Sequence, residues 1–361
     1  MERGWRKIVI QLCRHGRPLH RQPVQLLAGR PAYAVVALGV VVLTASCSTT
    51  PTPSTASNRL PSAGTSASPS LPNPFVVVNR WSGESLGLVY PEDLGIGPDG
   101  NIYVTDNNDR VTVISPQGTV LRRWGSQGVG PGQFQFTGPA GDPHGRVAIG
   151  LTGLVYVSDS GNDRVQVFTA GGHFVKQFGN DQLLSPDFLA VDGAGNTYIL
   201  DDNGTTKFSP AGVLVWRIIP GVSSDPDLNH GILPGSLDSH GRLLAALPER
   251  DRVIYLDPDG HKVDAFEIGL ILIGGPCRVT VDAQGNIYVT ACGPNGDAPD
   301  FVGAQGADSL VFDREHKLVG DWRGAPHDAL RTSPRFGPNG KVFALEWDGT
   351  LVELKIRLHE Q

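Results

Sequence analysis

The sequence predicts an all-β protein, a six-bladed β-propeller whose ring is closed by an N-terminal strand, and three observations predict it. A short apolar run follows a tight glycine turn six times, at 101–104, 154–157, 196–199, 242–245, 286–289 and 341–344. Counted at Tyr103, Tyr156, Tyr198, Leu244, Tyr288 and Phe343, the runs recur every 42 to 55 residues, the period of a four-stranded blade. Between the turns apolar residues alternate, as in Val111-Thr112-Val113 and Val165-Gln166-Val167, with the period of two that strands require.

Each unit reads as four strands. Its first turn carries Gly100, Gly153, Gly195, Gly241, Gly285 or Gly340, one residue before a strand. A second turn follows in five units, at 115–118, 169–172, 209–212, 257–260 and 313–316. Proline presets φ and glycine supplies positive φ, so these are hairpin corners.

Tyr156-Val157-Ser158-Asp159-Ser160-Gly161-Asn162-Asp163-Arg164-Val165-Gln166-Val167-Phe168 resembles the core of an NHL repeat, and 103–111 is a second copy. The resemblance covers roughly residues 75–356 and implies a six-bladed propeller. The third unit keeps Asp201 and lacks the Asn-Asp-Arg turn, while the fourth keeps Asp251-Arg252. At the strand-ending aspartate position the fifth and sixth units read Ala291 and Trp347. A carboxylate there can accept backbone N–H groups of the next turn, and the guanidinium can brace a neighbouring blade.

The last unit supplies strands around 332–336, 342–345 and 351–356 and needs a fourth. Phe75-Val76-Val77-Val78-Asn79-Arg80-Trp81 resembles the outer strand 119–124. Pairing it with the last unit would fasten the ring and cover an exposed edge.

Ahead of the propeller, Arg3, Arg6, Lys7, Arg14, Arg17, Arg21 and Arg30 lead into an apolar run at 32–43 and then Thr44-Ala45-Ser46-Cys47. Residues 1–46 resemble a bacterial lipoprotein signal, which implies acylation at Cys47 and anchoring to the cell membrane outside the cytoplasm. A cleaved signal peptide and a retained anchor are the alternatives, and each places the propeller outside the cytoplasm. Residues 47–73 comprise that cysteine and a Ser/Thr/Pro-rich tether with hardly any charge, unable to bury a core and spanning about 30 Å as a coil. Residues 74–361 form the propeller.

Cys277 and Cys292 flank one hairpin in blade five. If its turn centres near Gln284, they face each other, which predicts a disulfide consistent with an oxidising compartment. The net charge of -6 argues against a nucleic-acid partner.

The first and third turns of every unit are short. All long insertions, 126–145, 220–233, 291–309 and 323–332, fall on the opposite face, which marks it as the binding face. Aligning the starts of the inner strands gathers Glu92, Asp93, His144, Asp187, Arg278 and Arg331 around the pore mouth, with His230, Ile232, Cys277, His327 and Asp328 near them. Phe301 is a candidate apolar anchor in the insertion 291–308. Glu92, Asp93 and Asp187 are candidate ligands for a divalent cation, Ca or Mg, and His144, His230 and His327 are candidate acid–base groups.

Propellers similar to gluconolactonase hold a metal there with Glu, Asn and Asp, and those resembling the peptide-amidating lyase use histidines. The residues here match neither signature, and a solvated polar rim, common to propellers of all functions, is the plainer reading. Asp297, Asp300 and Asp308 lack EF-hand spacing. Gly-x-Ser-x-Gly, His-Glu-x-x-His, phosphate-loop and Cys-x-x-Cys motifs are all missing. The sequence therefore favours a membrane-tethered binding or scaffold module for a protein, peptide or glycan. A metal-dependent lactonase-like hydrolase or a lyase is the alternative.

Overall fold

The computed structural model describes residues 71, 73–137, 144–269, 272, 275–292, 308–323 and 329–358. Segment 1–46, Cys47, nearly all of the tether, Asp297, Asp300, Phe301, His327 and Asp328 lie outside the described residues.

Among the described residues twenty-four strands make six antiparallel four-stranded sheets. Blade one holds β2 (Pro91–Ile96), β3 (Ile102–Asp106), β4 (Arg110–Ile114) and β5 (Val120–Trp124). Blade two holds β6 (Val147–Ile149), β7 (Val155–Asp159), β8 (Arg164–Phe168) and β9 (Phe174–Phe178). Blade three follows with β10 (Leu189–Val191), β11 (Thr197–Asp201), β12 (Gly204–Phe208) and β13 (Leu214–Ile218). Blade four has β14 (Leu233–Leu237), β15 (Leu243–Leu247), β16 (Arg252–Leu256) and β17 (Lys262–Glu267). Blade five has β18 (Pro276–Val281), β19 (Ile287–Ala291), β20 (Ser309–Phe312) and β21 (Leu318–Trp322).

Blade six combines β22 (Arg335–Phe336), β23 (Val342–Leu345) and β24 (Leu351–Ile356) with β1 (Phe75–Trp81) as its outer strand. The ring is thus closed by the N-terminal strand, from Phe75↔Ile356 to Trp81↔Leu351. Arg80 on β1 pairs with buried Glu346 at 2.8 Å, and Asn79 donates to Glu353 at 2.8 Å.

The six first-turn glycines lie at φ between +72° and +88°, a region that L side chains avoid. The strand begins two residues after each, one later than the sequence suggested, because the intervening residue's carbonyl closes the turn, as in Gly97 N–H to Asn101 O at 2.9 Å.

An aromatic side chain near the end of each outer strand reaches the third turn of the next blade. A Cβ on Gly118 would collide with Trp81, and one on Gly172, Gly212 or Gly260 would stand 2.8, 2.6 or 3.0 Å from Trp124, Phe178 or Trp216. In blade five His316 takes the glycine's place at φ +64° and stacks on Phe266, with centroids 4.3 Å apart. Blade six has no such turn, and there Trp322 meets Phe75 edge-on at 5.5 Å. Buried apolar clusters fill the spaces between blades, for example Leu94, Ile102, Val104, Phe343, Leu345 and Leu351.

The strand-ending carboxylates hold the crossovers. Asp159 accepts from Arg164 at 2.7 Å and from the Gln135 N–H at 2.7 Å, while Arg164 also donates to Gly130 and Gln133 carbonyls. Asp109 and Asp163, both at φ +53°, accept the N–H groups of Phe136 and Ser185. Blade four ends its second strand with Leu247, and its acid comes instead from the preceding insertion: buried Asp227 meets Arg252 at 3.3 Å and Lys262 at 2.7 Å. In blade six the register Leu345↔Leu351 places Glu346 at the strand-ending position, which corrects the assignment of Trp347 to it.

Cys277 and Cys292 form the expected disulfide, with Cα atoms 4.7 Å apart. A bulge between Pro276 and Arg278 sets Cys277 out of register and turns it towards the residue just past β19.

Candidate functional site

The innermost strands run from the crossover face into the axis, so equivalent positions form tiers. Asp93 and Arg278 lie opposite Thr105 and Thr290, and the carbonyls of Arg146 and Phe188 accept the backbone N–H groups of Ser158 and Leu200. All four share one tier, two residues beyond the aromatic that anchors each second strand. His144, Asp187 and Arg331 stand one step nearer the mouth, and Arg335 one step deeper, opposite Phe343.

A bulge between Pro91 and Asp93 turns the adjacent Glu92 and Asp93 both inward, at 1% and 2% exposure. Each predicted carboxylate is engaged by arginine. Arg331 donates to Glu92 Oε2 at 2.5 Å, with Arg146 3.8 Å from the same oxygen. Arg335 stands 3.4 Å from Asp93 Oδ1 and Arg278 3.8 Å from it. Arg146 Nε binds Asp187 Oδ1 at 2.7 Å, and His144 Nδ1 lies 3.7 Å from Asp187 Oδ2.

Burial pushes the Asp187 carboxyl up, but Arg146 and His144 outweigh it and hold the group below the usual carboxylate range. Burial disfavours the Arg146 charge, and Asp187, Glu92 and Asp93 overcome this and raise it. Arg278 differs: burial and the facing Arg146 push its guanidinium down to about 9, and Asp93 restores little.

His230 sits apart from this network, with Nδ1 2.6 Å from Glu249. Ile232 is buried in the core. Among the described residues no group of three His, Cys, Asp or Glu could hold a metal ion. Arg146, Arg335 and Phe188 were not singled out in the sequence. Counting two residues beyond His144 along the same strand face would have found Arg146, and aligning on the anchoring aromatics would have found the other two.

The insertion 126–145 does more than decorate the face. Phe134 and Phe136 stack at 4.9 Å and are fully buried between blades one and two.

Six four-stranded blades, an N-terminal closing strand and Asp–Arg-braced crossovers define a six-bladed β-propeller whose first blades resemble NHL repeats. No protein-family model matches the chain. It is similar to the Drosophila melanogaster protein brain tumor, 27% identical over 171 residues that cover 43% of this chain and 15% of that protein. It is also similar to human NHL repeat-containing protein 3, 34% identical over 82 residues covering 22% of each. The matched segments thus span less than a quarter of either relative. In fold it resembles a streptogramin B lyase structure, with TM-score 0.53 and 13% identity over 79% of this chain and 98% of that chain. Virginiamycin B lyase from Staphylococcus aureus gives TM-score 0.53 and 11% identity over 78% and 100%.

Proposed function

We propose that the chain is a binding module, held outside the cytoplasm by a lipid on Cys47, which takes a protein, peptide or glycan partner on its crossover face. The supporting observation is the exposure of large apolar side chains in three separate crossovers: Tyr90 at 73%, Val129 at 73% and Val222 at 74%. Tyrosine and aliphatic groups presented this way suit a partner interface. The axial carboxylates support the same reading, because arginines hold them in blade-to-blade contacts. The lactonase-like or lyase alternative draws no ligand set from Glu92, Asp93 and Asp187 in this arrangement.

The test is binding of the intact protein to peptide and glycan arrays, followed by titration of the hits against Tyr90→Ala and Val222→Asp. Leu151→Asp serves as control, since Leu151 is 77% exposed on the opposite face. Affinity lost in the first two variants and kept in the third supports the assignment; the reverse pattern overturns it. Radiolabelled palmitate incorporated by the wild type and absent from Cys47→Ala checks the anchor.

A further inference from the structure

Arg278 is the odd member of the axial network. Among the described residues four guanidiniums, of Arg146, Arg278, Arg331 and Arg335, meet three carboxylates, of Glu92, Asp93 and Asp187, which leaves one positive charge in excess there. Arg331, Arg146 and Arg335 each donate a hydrogen bond to a carboxylate or carbonyl oxygen. Arg278 donates none among the described residues, the carboxylate it pairs with, Asp93, stands 3.8 Å away, Asp187 acts on it from further off, and it is only 9% exposed. A guanidinium carries five N–H donors and stays protonated, so leaving them idle in a buried site is costly.

Those donors border a cavity of about 10 Å³ on the axis, lined by Asp93, Arg146, Phe188, Gly235, Arg278 and Arg335 among others. The guanidiniums of Arg146 and Arg278 both stand 5.2 Å from the Phe188 ring centre, so one aromatic fixes the two cations beside the cavity. Gly235 lets the opposite wall come close, because a Cβ there would lie 2.4 Å from the Val279 carbonyl oxygen and would not fit.

We propose that this cavity is a binding site for one small monoanion, a halide or the carboxylate of a formate-sized acid. Such an anion accepts the idle Arg278 N–H groups and brings the network to neutrality. The volume suits a body the size of a water molecule. Asp93 on the wall repels higher charge, which selects against phosphate and sulfate. The site lies one tier below the mouth and is independent of the partner surface on the crossover face.

The test is the thermal midpoint of the full chain in detergent as chloride or formate replaces gluconate at constant ionic strength. A ligand bound by the folded state alone raises the midpoint with the logarithm of its concentration. The wild type should show a saturable rise of several degrees, and Arg278→Met should show none. The larger response of the two names the anion as halide or carboxylate. Equal curves for chloride, formate and gluconate, or an undiminished rise in Arg278→Met, would overturn the proposal. The wild type alone gives a second reading in case the variant does not fold: any response to carboxylates must fall along formate, acetate and propionate. An equal and non-zero response along that series would also overturn it.

Discussion

Arg331 Nη2 donates to Glu92 Oε2 at 2.5 Å although 239 positions separate the two residues. The bond joins the last blade to the first at the pore mouth, and Arg331 lies over the Trp347 ring at 5.1 Å as it does so. Arg331→Ala leaves the Glu92 carboxylate, with a side chain 2% exposed, with Arg146 at 3.8 Å as its one remaining ion-pair partner among the described residues. Removing one partner of a buried pair costs about 3 kcal/mol, so calorimetry should show a clear fall in the unfolding midpoint. Glu92→Gln, which keeps a hydrogen-bond acceptor, should cost less.

The closing strand makes a sharper prediction. A chain beginning at Ser82 loses the β1–β24 ladder, the Arg80–Glu346 pair, and the contacts of Phe75 with Trp322 and Trp81 with Gly118. It should melt far below the parent and aggregate through the bared edge of β24. Light scattering at the midpoint reads both effects. Arg80→Ala alone should cost more than loss of an exposed ion pair, because it takes a partner from the Glu346 carboxylate, whose side chain is 0% exposed.

Substituting Gly118 with alanine tests the contact between blades six and one. The residue sits at φ +82°, and its new methyl group would meet the Trp81 indole. Backbone strain of about 1 to 2 kcal/mol and displacement of the indole should add. Gly118→Ala together with Trp81→Ala should then cost less than the sum of the two single changes, which denaturant titration resolves.

Asp187 gives a pH dependence of definite sign. Its folded-state value lies below the unfolded one, so its contribution is fully present above the usual carboxylate range and is lost as pH falls through the lowered folded value. Asp227, lowered by Lys262, Arg252 and Arg250 against its own desolvation, acts in the same direction. Asp187→Asn should flatten the acid limb of a stability profile taken from pH 6 to pH 2, while leaving stability above that range limited by the weakened hydrogen bond to Arg146.

The disulfide closes a loop of 15 residues in blade five. Loop closure of that length is worth about 3 kcal/mol, so reduction or Cys277→Ser should lower stability by roughly that amount. Alkylation of unreduced, unfolded protein should leave both cysteines unmodified. Labelling of both would remove the bridge from the account.

The fold was legible because it is written in local, repeated signals: six glycine turns, period-two strands and a spare strand at Phe75–Trp81 that matches an outer strand. The pore-mouth residues were found by the same alignment, and their chemistry was not. Sequence spacing assumes even registers, whereas bulges at Glu92 and Cys277 turn neighbouring residues to unexpected sides. It also cannot show that Glu92, Asp93 and Asp187 are claimed by arginines from other blades, since those contacts cross the ring. The sixth acidic position was legible too, since three residues past Phe343, the offset of Asp106 from Tyr103, stands Glu346 and not Trp347.

The aromatic contacts between outer strands and turns bear on how such a ring sets its size. Each joins a blade only to the next, four by an aromatic laid on a glycine turn and one by Phe266 stacked on His316. Nothing in that joint counts to six. The count is set where the sequence breaks the pattern: Phe75 fills the place of a missing turn against Trp322, and five arc-forming joints must bring the two chain segments close enough for that meeting. Duplication or loss of a blade would leave every joint satisfied and fail at that one.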